Sequence, residues 1–279
     1  MWTTLTCRLD GFLWIGKQII ERLMRFDIIT LFPELFIPFL AQGITRRAFE
    51  SKLVDVRLVN PRDFASGNYK RVDDRPFGGG PGMVMLAEPL GRCLKSVQLQ
   101  RADAAPVVLF SPAGKSLNHA TVVRWAESQG SILICGRYEG IDQRFIDEHV
   151  TEQISLGDFV LSGGEIPAMA LLDAVARLQP GVLNTEASHQ QDSFNPGLDG
   201  LLDGPQYTRP ENWSERSVPE VLLSGDHGQI ERWRREQRLA LTAALRPELI
   251  ALAREQGRLS SADEAFLDGQ AQGTKGGRA

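Results

Sequence analysis

The stretch from Ser131 to Met169, SILICGRYEGIDQRFIDEHVTEQISLGDFVLSGGEIPAM, decides how the rest of the chain is read. It opens with Ile132 to Cys135, a short apolar run of the length and β-branched content of a buried parallel strand, and stops at Gly136-Arg137-Tyr138-Glu139-Gly140. A loop at a strand's carboxyl end is where open α/β sheets place ligands, because backbone amides and small residues let a molecule approach. A second unit of the same kind follows: Ile154 to Leu156, Gly157-Asp158, a further strand from Phe159 to Leu161, then Ser162-Gly163-Gly164. Any one of these glycines could mean only a tight turn. Five of them interrupting apolar strands within so short a stretch point instead to a binding site.

The strings CGRYEGID and SLGDFVLSGGE, with DAVARLQPGVL, DDRPFGGGPGM, LFSPAGK, DSF and YTRP, resemble the bacterial tRNA (guanine-37 N1)-methyltransferase family of the SPOUT class. The resemblance runs from Met24 to about Arg258 with its motifs in order. It implies an α/β fold, a mainly parallel sheet with a deep trefoil knot, plus a small α-helical C-terminal domain. Topology alone argues against a knot, so that expectation rests on the resemblance. It also implies S-adenosylmethionine bent into the knot, tRNA as partner, and a homodimer with active sites at the subunit interface.

Working outward, 279 residues with 42% apolar content can bury one large core or two modest ones. A formal net charge of -4 fits a soluble cytoplasmic protein and counts against simple coating of nucleic acid. Cys7, Cys93 and Cys135 have no metal-ligand spacing and give no disulfide framework, and Cys135 reads as a core residue. No apolar run approaches membrane-spanning length. Residues 1–23 are broken by Asp10, Lys17 and Gln18 and lack a signal-peptide cleavage site, so they are expected to be an extension outside the fold.

From Met24 the pattern predicts a βαβ opening: a strand Arg25 to Leu31, a helix from Pro33 to about Glu50, and a strand Val54 to Val59. The polar stretch from Asn60 to Met83 is longer than an ordinary connection and is expected to be functional. A helix from Glu88 to Leu99 and a strand Val107 to Phe110 follow. Gly114-Lys115-Ser116 imitates a phosphate-binding loop, but Leu109 stands where that loop needs its earlier glycine. Asn118 can cap a helix through about Gln129. This alternation argues for a parallel sheet covered on both faces. The helix from Gly164 to Leu178 is apolar nearly all round and is expected to be buried, against a partner subunit in part.

Composition places a polar linker at 184–200 and a largely disordered tail at 259–279; the resemblance implies that 24–183 bind the cofactor and that 201–258 form a helical tRNA-binding unit. Between His227 and Arg246 stand five arginines against two glutamates, a local excess of +3. For an arbitrary protein this is a solvated helix face laced with ion pairs; Trp233 among them fits either core packing or RNA contact.

Methyl transfer to N1 of guanine requires removal of the N1 proton by a base and a cationic or hydrogen-bonding partner for the charge that builds toward O6. Carboxylate and arginine suit these tasks, and composition cannot choose the pair. The resemblance chooses Asp192, on the linker, as general base, and Arg177 as the assisting arginine; without it, Asp192 would read as an ordinary Asx-turn or helix cap. For the cofactor it implies Leu109, Phe110, Ser111 and Pro112 at one strand end, Gly136, Tyr138 and Glu139 at a second, and Ser155, Leu156, Gly157, Asp158, Phe159, Val160, Leu161, Gly163 and Gly164 at a third. Phe159 replaces a tyrosine of some relatives. Asp203 and Arg209 match positions at the target nucleotide, although three more residues separate Asp192 from Asp203 than the family pattern has.

The resemblance also implies Mg²⁺ dependence. The sequence offers no dedicated carboxylate cage, so a magnesium ion would act through the tRNA or one carboxylate with water. His119, His149, His189 and His227 lack metal-ligand spacing, and only His189 is close to Asp192 in sequence. Two other readings stand beside this one: an RNA-binding protein without activity, and a methyltransferase acting at another RNA position.

Overall fold

The computed structural model describes residues 24–184 and 187–275. The chain runs β1 (Met24–Ile29), α1 (Phe36–Ala41), α2 (Arg46–Glu50), β2 (Val54–Val59), β3 (Asp73–Asp74), β4 (Val84–Met85), α3 (Ala87–Leu99), β5 (Val107–Ser116), α4 (His119–Ala126), β6 (Gly130–Ile134), α5 (Gln143–His149), β7 (Glu152–Ser155) and α6 (Glu165–Arg177). After these come α7 (Ala187–Gln190), the hairpin β8 (Asn212–Trp213) and β9 (Arg216–Ser217), α8 (His227–Leu245), α9 (Pro247–Glu255) and α10 (Ser261–Lys275).

Five strands form one parallel sheet in the order β2-β1-β6-β5-β7. The apolar run that opens the deciding stretch lies in its central strand: every residue of β6 is buried, as a strand covered on both faces requires. One face carries a cluster that includes Phe26, Ile28, Leu133, Trp125 and the inner side of α6. The other packs Ile29, Ile132 and Ile134 against Leu90, Leu94 and Val97 of α3. A third, smaller cluster joins Leu201 to Leu239, Ile250, Ala253 and Leu267 of α8, α9 and α10.

The strand β5 is longer than its sequence suggests. It pairs with β7 through Phe110, loses register, and pairs again from Lys115. Pro112 cannot donate to the ladder, so Ser111–Gly114 bulge away at the sheet's carboxyl edge. Gly114-Lys115-Ser116 is thus strand rather than phosphate loop. A Cβ on Gly114 would come within 2.5 Å of the Gln153 and Ile154 backbone.

Three expectations are corrected. The single helix from Pro33 to Glu50 is a 3-10 turn and two short helices, broken where Gly43 takes φ 73°. Phe159 to Leu161 is loop, not strand, with Phe159 and Val160 exposed. Most of the 259–279 segment is helix: Ser260 and Asp263 cap α10 reciprocally, and Leu267 is buried. Beside Leu267, the partly buried Phe266 packs on the same cluster and anchors this helix. Residues 1–23 lie outside those described. Among the described residues, no helix is long and apolar enough to cross a membrane.

Candidate active site

The carboxyl ends of β5, β6 and β7 converge on a cleft of ≈ 290 Å³. The bulge after β5 brings Leu109, Phe110, Ser111 and Pro112; the loop after β6 brings Gly136, Tyr138 and Glu139; the loop after β7 brings Ser155, Leu156, Phe159, Val160, Leu161, Gly163 and Gly164. Of the sixteen residues the sequence reading grouped, only Gly157 and Asp158 stand off the lining. Arg137, Ile141, Ile154 and Pro167 also line it and were missed, though Arg137 sits inside the Gly136–Gly140 turn and Pro167 one helical turn beyond Gly164.

The loops are fixed by backbone contacts. Gly164 N–H donates to the Gly136 carbonyl at 3.0 Å, and a Cβ on Gly164 would lie 2.7 Å from Cys135 Cα. Those two segments can meet only without a side chain at that point. The polar stretch before β4 is bound to the same site: Glu139 N–H donates to the Met83 carbonyl at 3.0 Å, and Met85 N–H to the Gly140 carbonyl at 2.9 Å. Burial raises the Tyr138 phenol above its ordinary pKa, and Asp73 of that stretch pushes it the same way. At the tip, Phe77 is fully exposed between glycines and arginines.

This cleft fits S-adenosylmethionine. Its glycines leave room for a planar base and ribose, Leu109, Ile141, Ile154 and Leu156 supply apolar contact, and Glu139 offers a carboxylate to a cation. Among the described residues, no group of three or more His, Cys, Asp or Glu side chains is placed to hold a metal.

Asp192 and Arg177 lie elsewhere. Arg177 is the last residue of α6 and donates from Nη2 to Asp192 Oδ2 at 2.6 Å, both side chains partly exposed. At 1.5 Å per residue, the twelve steps from Glu165 put Arg177 roughly 18 Å along the helix from the cleft. His119, in the first turn of α4, also feels the Asp192 charge: burial lowers its imidazole pKa, Asp192 pushes it back up, and His189 lowers it. Sequence proximity suggested His189 alone.

The added linker length is taken up locally. Phe194 N–H donates to the Leu201 carbonyl at 2.9 Å and Asp203 N–H to Ser193 Oγ at 2.9 Å, so residues 195–200 loop out while Asp203 stays beside Asp192's neighbour. Asp203 and Arg209 line a separate cavity of ≈ 450 Å³, together with Tyr207, Trp233, Arg234 and Arg238. Tyr207 and Trp233 stand 6.1 Å apart. The arginines between His227 and Arg246 are largely paired: Arg235 with Asp199 and Asp263, Arg234 with Glu231, Arg246, just past α8, with Glu248, and Arg238 with Asp203 at 3.7 Å. The +3 excess is therefore mostly laced into ion pairs.

Residues 24–252 match the family model described as tRNA (Guanine-1)-methyltransferase TrmD. A protein of Albidiferax ferrireducens named tRNA (guanine-N(1)-)-methyltransferase is 80% identical over 247 residues, which are 88% of this chain and all of that protein. Proteins of the same name from Paracidovorax citrulli and a Polaromonas species are each 68% identical over 248 residues, 88% of this chain and 97% and 96% of theirs. With residues 24–252 matched by that model and 88% of its length aligned to relatives of that name, the chain belongs to the tRNA (guanine-1)-methyltransferase family.

Proposed function

We propose that this chain is a cytoplasmic homodimer that transfers a methyl group from S-adenosylmethionine to N1 of guanine 37 in tRNAs carrying guanine at position 36. Residues 24–183 hold the cofactor in a knotted unit, 184–200 carry the base, and 201–258 grip the tRNA. Bound in the cleft, S-adenosylmethionine supplies a methyl group that is already electrophilic on its sulfonium. The chain's own task is alignment and proton removal. Gly136, Gly163 and Gly164 let the backbone close on the cofactor, and Glu139 faces its cationic end. Asp192 takes the N1 proton, and Arg177 holds that carboxylate and stabilises charge developing toward O6. Asp203 and Arg209 hold the target nucleotide.

One observation carries this reading: the Asp192–Arg177 pair is formed, yet it lies about a helix length from the cleft of the same chain. Methyl transfer requires contact between base, guanine and cofactor. A second copy bringing its Asp192–Arg177 pair to this cleft satisfies that need, and ordering of the linker by tRNA would complete the site. Any magnesium ion would act through the tRNA or one carboxylate with water.

The test is transfer of labelled methyl to two unmodified tRNAs, one with guanine at 36 and 37 and one with adenine at 37. Methylation of the first alone, lost in Asp192→Ala while cofactor binding persists, is expected. Full activity of Asp192→Ala would move the target to a site such as a ribose hydroxyl, which needs no such base. A wild type that binds cofactor and RNA without transfer would make the chain an RNA-binding protein.

A further inference from the structure

Beneath the cleft lies a carboxylate that the proposed chemistry does not use. Glu165, the first residue of α6, is 1% exposed. A buried carboxylate is costly unless its charge is answered. Thr30, itself fully buried at the carboxyl end of β1, donates from Oγ1 to Glu165 Oε1 at 2.8 Å and accepts from Phe32 N–H at 3.0 Å. On the other side, Arg137 Nε stands 2.9 Å from Glu165 Oε2. The N–H does not point along that line, so the two atoms are joined by charge rather than by a directed hydrogen bond. Arg137 is held further by the Phe32 ring, 4.4 Å from its guanidinium carbon, and donates from Nη1 to the Ser162 carbonyl at 3.3 Å.

Gly163 belongs to this arrangement. Its φ is not left-handed, so conformation does not demand glycine there. A Cβ would overlap Arg137 Nε and Cδ and Glu165 Oε2. The absent side chain lets the ion pair pass beneath the loop. Arg137 at the same time lines the cleft. An unanswered guanidinium there would oppose a sulfonium cation, and in a small, partly desolvated cleft that opposition is weakly screened.

We propose that Glu165 is a positioning and charge-neutralising residue of the cofactor cleft: it ties the loops at Arg137 and Gly163 to β1 through Thr30 and cancels the Arg137 charge, so that the cleft accepts a cationic rather than a neutral adenosyl ligand. The inference rests on the assignment of the cleft to S-adenosylmethionine. It concerns affinity for two ligands that differ by one charge, the sulfonium and its neutral product S-adenosylhomocysteine.

The experiment is calorimetric titration of the full-length chain with each ligand. Glu165→Gln keeps the shape and an acceptor for Thr30 while leaving Arg137 unanswered; it should weaken S-adenosylmethionine about ten-fold more than S-adenosylhomocysteine. Arg137→Gln/Glu165→Gln, neutral at both positions, should restore the wild-type ratio of the two affinities. Equal weakening of both ligands by Glu165→Gln would mean a structural role only and overturn the proposal. So would a ratio shift that persists in the double variant. If Glu165→Gln does not fold, Arg137→Met at pH 8.5, which leaves the carboxylate without its cation, should shift the ratio several-fold toward the sulfonium; an unchanged ratio there would overturn the proposal. A wild type that binds neither ligand would instead sink the assignment of the cleft itself.

Discussion

The cofactor cleft and the Asp192 segment are built on opposite principles. The cleft sits at the carboxyl edge of a sheet whose central strand is wholly buried, and its shape comes from backbone contacts and missing side chains: Gly164 on Gly136, Glu139 on Met83, Met85 on Gly140. The Asp192 segment and the helices behind it hang on charged side chains, Arg177 with Asp192 at partly exposed positions and Arg235 with Asp199 and the buried Asp263. The first is preorganised and resists adjustment. The partly exposed Arg177–Asp192 pair can be remade on binding, because it has a competing partner in water or phosphate. Binding of a small ligand in the cleft should therefore survive changes that disable the ionic half.

The sharpest break of this comparison is Asp192→Ala. If Asp192 is the base proposed above, its removal should lower single-turnover methyl transfer by about 10³-fold, within the range of general-base contributions. Calorimetric affinity for S-adenosylmethionine should stay within about two-fold of wild type, well under 1 kcal/mol. Loss of both together would mean that the two regions are not separable.

From the other side, Gly164→Val forces a branched side chain against Cys135 Cα, and the sheet edge cannot yield to it. S-adenosylmethionine affinity should fall by about 100-fold, roughly 3 kcal/mol. In a background whose other four tryptophans are replaced by phenylalanine, used for every fluorescence test below, the Trp233 emission of the C-terminal helices should keep its native spectrum at 25 °C. A variant that binds normally would show that the glycine loops are not the cradle.

The same contrast governs what the sequence made legible. The β6 run, the glycine turns and the Asn118 cap were readable because each is local: an apolar period, a breaker, a capping side chain. The convergence of Leu109, Gly136 and Gly164 was readable only through the resemblance, since three strand ends meet by sheet order, which no local pattern encodes. Phe159–Leu161 misled because a short apolar run looks the same in a strand and in an exposed loop. The Gln- and Gly-rich tail misled because its order comes from distant partners, Arg235 at Asp263 and the Leu239 cluster at Leu267. Arg137 with Glu165, and His119 near Asp192, were invisible for the same reason.

Arg235→Ala probes the ionic half for stability rather than chemistry. It leaves Asp263, 7% exposed, and Asp199 without their shared cation, and should destabilise the C-terminal helices by about 3 kcal/mol. Urea unfolding followed at Trp233 should shift to lower midpoint, while S-adenosylmethionine affinity stays at the wild-type value. A loss of cofactor affinity would mean that the helical unit supports the cleft directly.

The mildest expectation is an acid sensitivity confined to the same helices. The Arg235 guanidinium beside Asp263, aided by the Ser260 amide and hydroxyl, holds that carboxyl down at about 2, against an ordinary 3.8. A depressed carboxyl stabilises the fold fully above its unfolded pKa, and that contribution is lost as pH falls from about 4 toward 2. At pH 3 the loss from Asp263 is about 1 kcal/mol. The Arg254–Glu264 pair, which joins α9 to α10, is exposed and adds little. Trp233 fluorescence and far-ultraviolet dichroism between pH 5 and 2 should thus show the C-terminal helices loosening first, with the dichroism of the parallel sheet persisting to lower pH. In Arg235→Ala this transition should move to higher pH, because Asp263 regains a more ordinary affinity for protons. Coincident loss of sheet and helices in both proteins would show that one cooperative unit spans them, and the ionic half would then share the rigidity of the cleft.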